Sequence, residues 1–122
     1  MQHTLELVSG GIVVCASYDS GLRPLFDCIR KTNGKYPGSS LHDKVVGLAA
    51  ARLIVHSKMI KRVVTPLASQ PAVEYLREKD IEISAQQIVP NILRKDRGGL
   101  CPMEERALSS SDAEFYDFMA AL

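Results

Sequence analysis

Reactive side chains are concentrated in two short polar segments that interrupt otherwise apolar sequence. These segments are residues 42–44 (His-Asp-Lys) and residues 96–105, which include a Gly-Gly pair, a cysteine and two glutamates. Carboxylates, an ammonium and a thiol are the groups that proteins use for proton transfer, anion binding and nucleophilic attack. The two segments together therefore predict a small-molecule site.

The predicted catalytic residues are Asp43, Lys44, Cys101 and Glu104. Asp43 is interpreted either as an acid/base group or as the N-cap of a helix, where it would accept backbone N–H bonds. Lys44 would bind an anion or polarise a carbonyl; a lysine in a first helical turn is usually solvated, and it lies unfavourably near the positive end of the helix dipole. Glu104 is either an acid/base group or the first-turn glutamate of a short helix that begins at Pro102.

The turn that carries Cys101 has two interpretations as well. A thiol beside Arg97 and Lys44 would ionise readily and act as a nucleophile, whereas a buried thiol would only pack the loop against the core. The basic loop at residues 94–99 would offer N–H groups and a guanidinium to an anion, or be a solvated turn. It lacks the spacing of a phosphate-binding P-loop. The predicted ligand-binding residues are Ser69, Arg97, Gly98 and Gly99.

Composition narrows the classes of function. The chain has 122 residues, 46% of them apolar and 24% charged, which predicts one globular domain over residues 1–122. A formal charge of +1 gives no reason to expect nucleic acid as a partner. We find no signal-peptide pattern at the start and no apolar run long enough to span a membrane. Three widely spaced cysteines favour reduced thiols and a cytoplasmic location, with Cys15 and Cys28 in the core.

The elements predicted from periodicity and turn signals alternate between strand and helix. They begin with a hairpin within residues 1–18, a helix from about Asp19 or Ser20 to Asn33 with Pro24 in its first turn, a loop at 36–40, and a helix from Asp43 to about Ser57, in which small residues such as Gly47 would allow close packing on a sheet. There follow a strand at 60–65, a helix capped by Ser69 that runs to about Lys79, a strand at 81–85 and a helical turn at 90–93. The last element is an amphipathic helix within residues 109–122, where Ser111 and Glu114 form a capping-box pattern. This order predicts an α/β fold, a three-layer α/β/α arrangement with a central mixed sheet. The apolar face of the last helix would serve the core or a homodimer.

Several motifs in this order resemble a family. They are the Asp43-Lys44-Val45-Val46-Gly47 segment with its triple alanine, the helix start at Ser69, and Cys101-Pro102-Met103-Glu104. In combination they resemble a small bacterial domain-of-unknown-function family with a cytidine-deaminase-like fold, over about residues 4–108. The resemblance implies a mixed sheet that begins with a hairpin, and a pocket shared by the N-termini of the Asp43 helix and the Ser69 helix.

Zinc deamination does not fit the residues at the two helix starts. Zinc deaminases place His or Cys, one residue and Glu at the first start, and Pro-Cys-x-x-Cys at the second. Here the first start has Lys44 in place of the glutamate, and the second has no thiol after Pro66. We therefore predict no metal and no cofactor. Two functions stay open: a metal-independent enzyme, such as a hydrolase, that acts on a C–N bond of a small polar or nucleotide-like ligand, or a non-catalytic ligand-binding or sensing module.

Overall fold

The computed structural model describes residues 3–93 and 98–122. The elements are β1 (Leu5–Ser9), β2 (Ile12–Ser17), α1 (Arg23–Thr32), β3 (Ser39–Asp43), β4 (Val45–Val46), α2 (Leu48–Ser57), β5 (Ile60–Ser69), α3 (Gln70–Glu78), β6 (Glu82–Val89), α4 (Pro102–Leu108) and α5 (Asp112–Ala120). No helix in the described ranges is long and apolar enough to cross a bilayer. Arg97, which was predicted to bind a ligand, lies outside the described residues.

The six strands form one mixed sheet. β1 pairs antiparallel with β2 and with β3, whereas β5 pairs parallel with β3, β4 and β6. β3 and β4 pair in succession with one edge of β5, separated only by Lys44, and β6 pairs with the other edge. The predicted α/β class with a central mixed sheet is confirmed, while the deaminase-like assignment and the packing of helices on both faces stay predictions.

The apolar core lies against one face of this sheet. Leu7, Leu41 and Val63 are in register on neighbouring strands and are fully buried. They join one hydrophobic cluster with the buried side chains of α1, α2 and α3, and both α4 and α5 pack against α2. On the opposite face the register pair Glu6 and His42 is only half-buried. Burial of apolar area on the core side of the sheet therefore contributes a large part of the stabilisation.

A strand occupies the segment that was predicted to be a loop and a helix start. β3 ends at Asp43, and α2 begins only at Leu48 with Gly47 as its N-cap residue, so the prediction that Asp43 caps this helix is wrong. β3 lies between β1 and β5 and pairs with both. Pairing on two edges outweighs the weak strand propensity of its Ser, His and Asp residues.

Other predicted boundaries differ by a few residues. α1 begins at Arg23 rather than near Asp19, with Pro24 in its first turn as predicted. β6 continues to Val89, and residues 90–93 are not helical, since Leu93 instead forms a bridge with Leu100. The N-terminal hairpin, the Ser69 cap and the capping box of α5 are confirmed.

The cysteines correct a further expectation. Cys15 on β2 and Cys28 on α1 form a disulfide, with their Cα atoms 6.0 Å apart, so these two are not separate reduced thiols. Sequence separation gave no hint of this, because the hairpin must first bring β2 alongside α1. Cys101 is a free cysteine.

Candidate functional site

A cavity of about 290 Å³ opens where β3 ends and α2 begins. Its other walls are the loop before α1, the start of β1 and the segment that leads into α4. The apolar lining residues are Leu5, Leu22, Pro24, Val45, Ala49, Ala50, Ile92 and Met103, and the polar ones are Thr4, Asp19, Ser20, Asp43, Lys44, Cys101 and Glu104. A mostly apolar cavity with a few polar groups is the common form of a small-molecule site.

The four predicted catalytic residues converge on this cavity. Asp43, Lys44, Cys101 and Glu104 all line it, although the second pair follows the first by more than 50 residues in the sequence. The predicted ligand-binding residues do not join them: Ser69, Gly98 and Gly99 are not among its lining residues. Ser69 instead caps α3, where its Oγ accepts a bond from the Ala72 N–H at 3.2 Å. The pocket is therefore shared by the starts of α1 and α2, and not by the start of α3.

Asp43 is a buried carboxyl at the end of a central strand. Its residue is only 8% exposed, and the Lys44 backbone N–H donates to its Oδ1 at 2.8 Å. Burial raises the pKa of Asp43 from 3.8 to about 7, because desolvation outweighs the N–H bonds from Lys44 and Val45. In the described ranges no Lys, Arg or His forms an ion pair with it. Asp43 can therefore gain or lose a proton near neutral pH.

Lys44 and Cys101 contribute different groups to the same cavity. Lys44 is an exposed residue that lines the cavity. Cys101 is half-buried and precedes α4, and its backbone N–H donates to the Ile92 carbonyl at 3.1 Å. The nucleophilic role of the Cys101 thiol stays a prediction.

Glu104 holds the start of α2. Its two carboxylate oxygens accept bonds from the backbone N–H groups of Leu48 and Ala49, at 2.8 and 2.7 Å. The residue is 6% exposed, and burial raises the pKa of its carboxyl even though both N–H bonds act in the opposite direction. Because each oxygen is engaged by the helix, Glu104 is better described as a distant helix cap than as the free acid/base group of the prediction.

Gly47 makes this contact feasible. A Cβ at position 47 would overlap the carboxyl group of Glu104. The glycine therefore serves close approach here, and its backbone does not have a positive φ. Sequence reasoning placed Gly47 on the helix and gave it only a packing role.

Sequence reasoning also missed the wall formed by residues 19–22. β2 and β3 both run antiparallel to β1 and therefore end at the same edge of the sheet. Ligands in open α/β sheets gather at such ends. The sequence alone gave no signal for this wall, because the shared edge depends on β3, a strand that was not predicted.

Residues 3–93 and 98–122 contain no group of three or more His, Cys, Asp or Glu side chains that could hold a metal ion. The prediction of a metal-free site rests on the sequence argument and stays a prediction.

Comparison with known proteins adds the family. Residues 2–120 match the family described as a domain of unknown function (DUF1893), also labelled TM1506. The fold is similar to the crystal structure of a DUF1893 family protein (TM1506) from Thermotoga maritima, with a TM-score of 0.81 and 26% sequence identity over 98% of this chain and 80% of that chain. No curated protein matches the sequence. With nearly its whole length matched, the chain belongs to the DUF1893 family.

Proposed function

We propose that the cavity beside Asp43 binds a small, largely apolar molecule with a nitrogen-containing polar end, such as a nucleobase-like heterocycle. The observation that carries this proposal is the Asp43 carboxyl, which is buried, lines a cavity of about 290 Å³ and has no ion-pair partner within the described residues. A buried carboxylate without a cation is costly. An N–H group on a bound molecule would supply the missing partner.

The exposed Lys44 supports one orientation of the bound molecule in the cavity. Lys44 is exposed, whereas Ala49 and Ala50 are buried, and all three residues line the cavity. A flat apolar ring would fit against these small side chains, and an anionic substituent would extend toward Lys44. This charge pattern suits a nucleotide-like ligand with its base inward.

A second candidate is a metal-independent enzyme that acts on a C–N bond, and the pKa of about 7 at Asp43 favours it. In a hydrolysis, Asp43 would take a proton from the water that attacks carbon and return it to the leaving nitrogen. Cys101 lines the same cavity and is the alternative nucleophile.

A deaminase-like fold and a homodimer belong to the same proposal. A cytoplasmic location stays a prediction, and the disulfide between Cys15 and Cys28 removes the argument from reduced thiols on which it rested. The order of strands and helices supports the deaminase-like fold. The homodimer has weaker support, because Phe115 and Met119 of α5 are already buried within this chain.

The test is an NMR titration with cytosine, adenine and benzamidine, at pH 6 and pH 8. We expect amide shift changes at Leu22, Val45 and Ala49 with at least one of the three compounds, and loss of their pH dependence in Asp43→Asn. The exposed Ser84→Ala variant is the control and should bind normally. Shift changes that are absent, or that map away from these amides, would overturn the binding proposal. Ammonia release from a bound amino compound would decide in favour of the enzyme.

A further inference from the structure

A second cavity, of about 280 Å³, lies on the other side of the start of α1. Cys15 and Cys28 line it together with Arg23 and Lys31. It shares Asp19, Ser20 and Pro24 with the cavity beside Asp43, so one short segment separates the two. The disulfide thus joins β2 to the helix whose first turn forms a wall of the candidate site.

The two thiols differ in access. Cys28 is 2% exposed, whereas Cys15 is half-buried on β2, an edge strand of the sheet that the described residues form. A small molecule entering the second cavity can therefore reach the sulfur of Cys15 before that of Cys28. Arg23 and Lys31 line the same cavity together with Asp19 and Asp27, and Arg23 forms an ion pair with Asp27. Lys31 is therefore the cation that would stabilise a reacting thiolate there.

We propose that Cys15 and Cys28 form a reversible redox site whose state controls how firmly the start of α1 is held against the hairpin. The oxidant is a low-molecular-weight disulfide such as oxidised glutathione. The Cys15 thiolate attacks one of its sulfurs. Cys15 then forms a mixed disulfide with one glutathione, and the other glutathione leaves as its thiolate. The Cys28 thiolate then attacks the Cys15 sulfur and releases the second glutathione. Two protein thiols lose two protons and two electrons, and the glutathione disulfide is reduced to two thiols.

Closing this link constrains the segment between the two cysteines. The two cysteines have a sequence separation of 13, and the segment between them contains the whole wall at residues 19–22. Reduction removes the covalent tie, and α1 is then held by its packing alone. The wall should open more often in the reduced form, since local opening follows the loss of local constraints.

The first experiment uses the full chain with Cys101→Ser, so that only the two paired cysteines remain. The protein is equilibrated in glutathione buffers from fully reduced to fully oxidised, quenched in acid and alkylated. Intact-protein mass spectrometry then counts the alkylated thiols. We expect either two alkylated thiols or none, with a complete return to two in excess reduced glutathione. Thiols that stay free in oxidised glutathione would overturn the proposal, and so would a bond that persists in excess reduced glutathione.

The second experiment compares hydrogen exchange of the oxidised and reduced forms of the same protein. We expect severalfold faster exchange at residues 19–26 on reduction and unchanged exchange in α3, which does not line the second cavity. The Cys15→Ser/Cys28→Ser variant should reproduce the reduced form; if that variant does not fold, the reduced protein itself still gives the answer. Equal exchange at residues 19–26 in both redox forms would disprove the control of α1.

Discussion

The starts of α2 and α3 solve the same problem with different parts of the chain. Each exposes backbone N–H groups that have no partner within the helix. In α3 the preceding residue, Ser69, accepts a bond from one of them with its own side chain, and Pro71 lies in the first turn of the helix. In α2 the preceding residue is Gly47, and the acceptor is Glu104, from a helix more than 50 residues further along. One start is held locally, and the other is held by tertiary structure.

This difference explains how the carboxylates of the cavity divide their roles. Glu104 reaches α2 because Gly47 leaves room for it, and it fills the position where an anion would otherwise bind. Asp43 is thereby left free of capping. Among the described residues its N–H bonds come from its own neighbours, Lys44 and Val45, so its carboxyl is available to a ligand. The contact of Glu104 also fixes α4, and with it Cys101, at the rim of the same cavity.

The largest effect should follow from removing the distant cap. Glu104→Ala deletes two hydrogen bonds from a buried carboxyl group and leaves the N–H groups of Leu48 and Ala49 unpaired. We expect a loss of about 4 kcal/mol in the free energy of unfolding, at roughly 2 kcal/mol for each such bond. Denaturant unfolding followed by circular dichroism measures it.

The matched control is Glu105→Ala, an exposed glutamate in the same first turn of α4. It should cost no more than about 0.5 kcal/mol. If Glu104→Ala and Glu105→Ala lowered the free energy of unfolding equally, the contact of Glu104 with α2 would contribute no more to stability than the negative charge of an exposed glutamate in that turn.

The locally held features are the ones that could be predicted from the sequence. The Ser69 cap and the capping box between Ser111 and Glu114 each lie within four residues, and both are confirmed. β3 could not be predicted in the same way, because its pairing with β1 and β5 compensates for the weak strand propensity of residues such as Ser40 and His42.

The candidate site was predicted only in part for the same reason. Residue chemistry identified Asp43 and Cys101 as lining residues, since reactive groups in apolar surroundings stand out. The cap formed by Glu104 depends on a contact between α2 and α4, and the disulfide depends on β2 lying beside α1. Neither contact has a local signal, so both required the fold.

The next effect depends on pH and concerns Asp43. Its pKa is raised by burial, so the folded protein binds a proton that the unfolded chain has released above pH 3.8. This contribution to stability is full below that pH and is lost as pH rises through about 7. Asp43→Asn keeps the acceptor for the Lys44 N–H but carries no charge. We expect the stability of Asp43→Asn to equal that of wild type at pH 3.5 and to exceed it by about 3 kcal/mol at pH 8.5. Each pKa unit corresponds to roughly 1.4 kcal/mol, and hydration of the carboxyl through the cavity reduces the total.

Unfolding of both proteins across this pH range measures the difference, with the exposed Asp117→Asn as the control. A constant difference between wild type and Asp43→Asn at every pH would show that Asp43 keeps an ordinary carboxyl pKa in the fold. It would then lose its role as an acid/base group near neutral pH.

The smallest effect belongs to the locally held helix. Ser69→Ala removes one hydrogen bond to the Ala72 N–H and should cost about 1 kcal/mol in unfolding free energy, the usual range for an N-cap. Because Ser69 does not line the cavity beside Asp43, this variant should bind the three titration compounds with unchanged affinity. Denaturant unfolding and the NMR titration check the two expectations separately. Weaker binding in Ser69→Ala, at a stability that still leaves the protein folded, would return Ser69 to the ligand site and show that the cavity extends to the start of α3. A cost near 4 kcal/mol would remove the distinction between a cap held locally and one held by tertiary structure.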